Sequence, residues 1–233
     1  MIAHDPSTLP LYESIRLEDV CLVQSRADET VALSALMAGD AIGFDTESKP
    51  TFAKGEVSNG PHLVQLATDD KAYLFPVAEG PALDVLRTVL ESPKVLKVGF
   101  GLRDDLRRLQ SKLGICTVQV LDLAIALRQE KRGDVGAKAA VARFFGQRLQ
   151  KSKKTSTTNW SNPHLTERQM LYAANDAQVA LRVYRAWQKA EGTDSLKPPP
   201  GLDPEKDLCI PTWSGRLIGF WSRLWLKRAA GPG

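Results

Sequence analysis

Ala41-Ile42-Gly43-Phe44-Asp45-Thr46-Glu47 is a short apolar run that ends in two acids, and its reading decides the fold. A run of this length, bounded by Gly39-Asp40 before it and a Pro-bearing loop after it, reads as a buried strand. Side chains alternate across a strand, so Asp45 and Glu47 share one face and Thr46 takes the other. Two carboxylates on one face, next to Ile42 and Phe44, repel each other and lose hydration. A divalent cation with oxygen ligands relieves both penalties. The alternative for this pair is an exposed strand end whose acids meet solvent or Lys49.

On either side of this strand, apolar runs alternate with helical patterns. Residues 20–24 read as a strand, and Asp28 is the candidate cap of a helix that runs to about Met37. A Gly/Pro/Ser/Asn-bearing loop extends to Pro61, and residues 62–68 and 71–77 read as paired strands around Asp69-Asp70. A helix over 81–91 with Pro at its start, a strand over 95–101, a helix over 102–112 and a short strand over 118–121 follow. From Asp122 to about Gly192 the pattern is helical, interrupted by a basic loop over 150–162. Strands first and helices later predict an α/β domain, a mixed sheet with helices packed on its faces. The boundary falls near Gly192, giving one domain over 1–192 and a Pro-rich linker with a Trp-rich tail over 193–233. That tail holds Trp213, Trp221 and Trp225 at roughly helical spacing. Packing on the domain is its default role, with self-association, a protein partner, nucleic acid or a membrane interface as alternatives.

Two further groups of polar residues interrupt apolar patterns. Leu102, Leu106, Leu109 and Leu113 form one stripe of their helix. Asp105 flanks that stripe near the helix N-terminus, which favours an anion, whereas Asp104 points away as a solvated acid. Further on, Thr166 and Gln169 are spaced as a capping box for a helix over 165–190. Met170, Ala173, Ala177, Leu181 and Tyr184 are its main apolar face, and a second row contains Tyr172 and Asp176 one turn apart. A carboxylate set in a packed row needs a hydrogen-bonded partner or a metal, and a backbone group or Arg182 is a candidate partner for Asp176.

Together these segments resemble the DEDDy group of 3′–5′ exonucleases, the superfamily of ribonuclease D and the Werner syndrome protein's exonuclease domain. The residues that carry the resemblance are GFDTE with VQLAT downstream, VGFGLRDDLRRL, VARFFGQRLQKSKKTSTTNWS, and LTERQMLYAANDAQVALRVY with its Y-x-x-x-D. It spans about residues 20–190, with only about 40 residues beyond, so the chain resembles a stand-alone bacterial-type domain without the accessory helical domain of ribonuclease D. The resemblance implies a ribonuclease H-like, DnaQ-like fold. It also implies a metal-dependent exonuclease that releases nucleoside 5′-monophosphates from the 3′ end of a nucleic acid. By carry-over, Asp45, Glu47 and Asp176 bind the nucleophile-side metal and Asp45 bridges to a second, which Asp105 supports. Tyr172 orients the attacking water. Two Mg²⁺ or Mn²⁺ ions suit such hard oxygen ligands. The Werner-like middle segment favours DNA, with an RNA-trimming enzyme as the competitor and a non-catalytic nucleic-acid-binding scaffold as a reading of another class.

The remaining signals set partners and exclusions. The 233 residues carry a net charge of +4, compatible with a polyanion, and the pI is near 9.0. Thr46, Lys49, Arg103, Lys151, Lys153 and Lys154 are candidate nucleic-acid contacts, and Lys54 and Arg107 lie near the acids in sequence. Trp160 is expected to pack rather than stack a base, and His62 and His164 are expected at the surface. Three scattered cysteines, no signal pattern and no long apolar stretch predict a reduced, cytoplasmic setting without a membrane partner. Gly99-Phe100-Gly101 lacks the third glycine of a dinucleotide turn, and no Ser-His-Asp or Cys-His arrangement is evident.

Overall fold

The computed structural model describes residues 8–51, 60–77, 81–128 and 134–191, so Lys54, the linker and the Trp-rich tail lie outside the described residues. The strand that ends in two acids, β2 (Ala41–Glu47), lies at the interior of a six-stranded sheet of order β1-β4-β3-β2-β5-β6. Its companions are β1 (Val20–Leu22), β3 (Leu63–Ala67), β4 (Ala72–Pro76), β5 (Leu96–Gly99) and β6 (Val120–Asp122). β2, β3 and β4 pair antiparallel, while β1 with β4, β2 with β5, and β5 with β6 pair parallel. The sheet is therefore mixed, as expected.

Alternation along the strands sorts the core into two layers. Ile42, Phe44, Val64, Leu66, Tyr73 and Phe75 bury against α1 (Arg26–Ala38), α2 (Pro81–Leu90) and α3 (Arg103–Leu113). Ala41, Val98, Leu63, Ala67, Ala72 and Leu74 bury on the other face, with α5 (Ala137–Phe145) and α7 (Glu167–Glu191). The described residues also form two single-turn helices, α4 (Leu123–Ala126) and α6 (Lys153–Ser156), and a 3-10 turn over Leu17–Asp19. The basic stretch over 150–162 is thus not all loop. Ser152 caps α6 by accepting from the Thr155 N–H, a short local bond that apolar periodicity does not register.

Two helix starts show why local chemistry matters. α1 is capped by Ser25, not Asp28. Ser25 Oγ accepts from the Asp28 N–H at 3.2 Å, while the Asp28 carboxylate accepts from the Ser25 N–H at 2.9 Å, which makes Asp28 the returning member of a capping box. The Thr166–Gln169 box forms as expected, with Thr166 N–H donating to Gln169 Oε1 at 3.0 Å. α7 is more enclosed than an amphipathic reading suggests, being buried continuously from Ala173 to Leu181. Two of its faces are covered by the sheet and α5, and residues ahead of β1 cover a third. There the Arg182 guanidinium donates to the Tyr12 hydroxyl at 3.3 Å and to the Glu13 carbonyl at 3.1 Å.

One contact sets how closely α7 approaches β2. A Cβ at Gly43 would run into the Ala177 carbonyl, so only glycine permits this backbone-to-backbone packing.

A buried cation lies on the opposite face. Lys97, in β5, is fully buried, and its ammonium donates to the carbonyls of Ser92 (2.8 Å) and Val95 (2.9 Å). Burial lowers its pKa to about 7, against 10.5 for an ordinary lysine. Between those values the unfolded chain binds a proton that the folded chain does not, so this group makes stability rise with pH across that window. The stability of the native protein relative to Lys97→Met is expected to climb from about pH 7 upward, by at most ~1.4 kcal/mol per pH unit, in denaturant titrations at several pH values.

Candidate active site

The Gly43–Ala177 contact also brings the acids together. Asp176 precedes Ala177 on α7, and Asp45 lies two residues beyond Gly43 on the same face of β2. One carboxylate oxygen each from Asp45, Glu47 and Asp176 falls within 4.8 Å of the others. Asp176 is buried, at 8% exposed. The set is anionic oxygen only, the donor chemistry of a hard divalent cation.

Electrostatics show how much positive charge this arrangement calls for. Asp45 is held well above the ordinary carboxylate range, first by burial and then by Asp176 and Asp105. Glu47 is pushed up to about 9 by burial, then by Asp45 and Asp176. Asp176 is raised by burial but moderated by Lys151, whose Nζ lies 3.0 Å from its Oδ1. The bonding partner of Asp176 is therefore Lys151 and not Arg182. Tyr172 lies one turn before Asp176 on α7, and its hydroxyl is raised well above its usual value by burial and by Asp176, Glu47 and Asp45. It is a phenol that keeps its proton. The residues fit a divalent cation: they supply three converging oxygens, each disfavoured as an anion, and among the described residues the one cationic side chain on them is a lysine.

Asp105 stands apart from that triad. It is partly buried near the first turn of α3 and accepts a hydrogen bond from the Thr46 hydroxyl, with Arg108 4.0 Å away. Burial raises its pKa and the Thr46 bond opposes the rise. Asp104 is exposed and ion-paired with Arg107 at 2.7 Å, so the helical register distinguishes the two acids as expected. Thr46 is buried and its hydroxyl is donated to Asp105, which removes that hydroxyl from the expected nucleic-acid contacts.

The other expected contacts divide. Lys49, Arg103, Lys153 and Lys154 are exposed, whereas Lys151 is half-buried in its ion pair. Trp160 is buried, its ring 6.1 Å from that of Tyr172, with its indole N–H on the Ser156 carbonyl; it packs, as expected. His164 is exposed, while His62 is partly buried and accepts from the Lys49 N–H at 3.1 Å.

One residue at the centre carries no mark in the sequence. Gln65 lies directly across from Asp45 in the β2–β3 register, is fully buried, and neither its amide nitrogen nor its oxygen has a partner. Opposite residues of an antiparallel pair share a face with Cβ atoms about 5 Å apart, so an unpaired amide sits beside the Asp45 carboxylate. Its only signal is a polar residue on the α7-facing side of LVQLA.

Comparison with known proteins agrees with this geometry. A family model described as 3′–5′ exonuclease matches residues 20–190. The chain belongs to the 3′–5′ exonuclease family. It is 30% identical over 153 residues to the bifunctional 3′–5′ exonuclease/ATP-dependent helicase WRN of Mus musculus, covering 64% of this chain and 11% of that protein. It is 29% identical over 172 residues to ribonuclease D of Bartonella henselae, covering 72% of this chain and 41% of that one. The chain thus spans less than half the length of either relative. Among solved structures, the Aedes aegypti Nibbler EXO domain superposes with a TM-score of 0.65 at 28% identity, covering 76% of this chain and 92% of that one. Escherichia coli RNase D, at 23% identity and a TM-score of 0.59, shares the ribonuclease H-like fold.

Proposed function

We propose that this chain is an active 3′–5′ exonuclease that hydrolyses terminal phosphodiester bonds of a nucleic acid and releases nucleoside 5′-monophosphates. The observation that carries this is the convergence of Asp45, Glu47 and Asp176 within 4.8 Å, half-buried or buried near Tyr172, with the Lys151 ammonium on Asp176. Asp45, Glu47 and Asp176 would hold divalent ions, two Mg²⁺ or Mn²⁺, with Asp105 supporting the second from its place on Thr46. Bound there, such ions supply an activated water and neutralise phosphoryl and leaving-group oxygens. Tyr172 keeps its proton and so orients a water or a phosphoryl oxygen by hydrogen bonding; a phenol with so high a pKa is a poor base at neutral pH. Lys151 can follow the developing charge, since its ammonium already lies on Asp176. A scaffold without catalysis is disfavoured by the same residues, because clustered carboxylates repel a polyanion unless cations intervene.

DNA is the first substrate to test, in keeping with the WRN-like middle segment; RNA is the second, in keeping with the likeness to ribonuclease D. End-labelled DNA and RNA, single-stranded and recessed, compared in Mg²⁺, Mn²⁺ and EDTA, test both. Stepwise loss of single nucleotides from the 3′ end, abolished by EDTA, is expected on at least one strand type. A chain inert on all of them would overturn the assignment. Tyr172→Phe is expected to lower kcat about tenfold, ~1.4 kcal/mol of transition-state stabilisation, with metal affinity unchanged in calorimetry.

A further inference from the structure

We propose that the cleft beside the three carboxylates is the track for the substrate strand's sugar–phosphate backbone, and that Lys138, Arg148 and Arg168 grip its phosphates. This rests on the nucleic-acid reading above and extends it to residues outside the catalytic set.

The cleft encloses about 800 Å³ between α7, α5, the residues joining α5 to α6, and the chain ahead of β1. Tyr172 and Asp176 are among its walls, so it adjoins the acidic set. Four cationic side chains line it: Lys138, Arg148, Lys151 and Arg168. Asp176 is the sole carboxylate among the described lining residues, and Lys151 already neutralises it at 3.0 Å. The other three cations have no ion pair among the described residues. Arg168 donates from one terminal nitrogen to Ser152 Oγ at 3.0 Å, and the buried Arg148 Nε has no partner. Beyond Arg168 a second pocket of about 230 Å³ continues the surface with Lys154, Asn159 and Asn162 and again no acid.

Three cations lining one cleft without a counter-charge among the described residues leave it positively charged, and an anion bound there offsets that charge. The carboxylates next door exclude a lone small anion as a matched ligand for the whole cleft. A chain of phosphates, one end at the acids and the rest along the basic wall, satisfies both parts. Leu9, Ile15, Leu149 and Leu171 supply apolar surface for sugars between the phosphates. Phosphate contacts of this kind fix register and read no sequence.

The test is binding of a fluorescent single-stranded oligonucleotide by anisotropy, in Ca²⁺, with the full chain. The combined variant Lys138→Gln, Arg148→Gln, Arg168→Gln is expected to raise Kd about tenfold or more. Its plot of log Kd against log salt should flatten by about 0.7 for each phosphate of a single strand that the protein no longer neutralises. Arg26→Gln, an equal charge change per site on the opposite side of the sheet, should leave Kd unchanged. Wild-type affinity in the combined variant, or equal weakening by Arg26→Gln, overturns the track. Should the combined variant also lose thermal stability, Lys138→Glu on the exposed side of α5 decides: weaker binding with Tm intact supports the track, and unaltered binding overturns it. Mononucleotide release is scored separately. A chain that binds through this cleft and releases nothing retains the track and refutes the exonuclease; release with the combined variant binding normally does the reverse.

Discussion

Asp45→Asn is expected to reduce metal-dependent release of mononucleotides by about 10³-fold, equivalent to ~4 kcal/mol of transition-state stabilisation. The size follows from where Asp45 lies: it is central to the acidic set, half-buried, and repelled by Asp176 and Asp105. The substitution keeps the shape and removes a charge that the folded state disfavours. Without metal the variant should therefore be at least as thermally stable as the native protein, a trade of function against stability. Mn²⁺ should raise the Tm of the native protein by mass action and leave the variant where it was. The pH dependence has a definite sign. Glu47 holds its proton up to about 9 in the folded state, whereas a free glutamate releases it near 4.5. The folded chain thus binds the extra proton, and this group makes metal-free stability fall as pH rises across that range. Above about pH 7, Lys97 acts in the opposite direction. Because cation binding displaces the proton, metal affinity should increase with pH up to about 9. An Asp45→Asn enzyme with near-native turnover in Mg²⁺ would refute the metal assignment.

The second large effect separates neighbours. Asp105→Asn is expected to lower kcat about 10²-fold, ~3 kcal/mol, while Asp104→Asn stays within about twofold of the native enzyme. Asp105 accepts the Thr46 hydroxyl at the foot of the acidic strand, and Asp104 faces solvent with Arg107. The loss should appear as a higher Mg²⁺ requirement as well as a lower rate, which a purely structural defect would not produce. Equal losses for the two variants would contradict the register of α3.

That register was legible because it depends on periodicity alone. The alternation of AIGFDTE puts Asp45 and Glu47 on one face, the leucine stripe of α3 separates Asp105 from Asp104, and a four-residue step joins Tyr172 to Asp176; none of these requires knowledge of distant contacts. The six strands follow from the same kind of pattern, as does the Asp69-Asp70 turn between β3 and β4, whereas their order in the sheet does not. What was illegible depends on where loops and cross-strand neighbours end up. Lys151 reaches Asp176 because α6 is folded back against α7, a path that no spacing in 150–162 encodes. Thr46 meets Asp105 across 59 residues of chain. Gln65 gains its importance only from the β2–β3 register. Ser25 displaces Asp28 as a cap because both residue types suit the position and three-dimensional hydrogen bonding decides between them.

The glycine contact between β2 and α7 has a consequence for how the protein can change over time. Side-chain packing adjusts when neighbours are exchanged, because rotamers and small shifts absorb a change of volume. A carbonyl resting against a Cα has no rotamers to adjust. The separation between the acids of the strand and the acid of the helix is thus referenced to the main chain, and the surrounding aliphatic residues can be replaced without recalibrating it. Mutational drift in the core would alter how long the fold survives heating well before it altered the distance across which the reaction takes place.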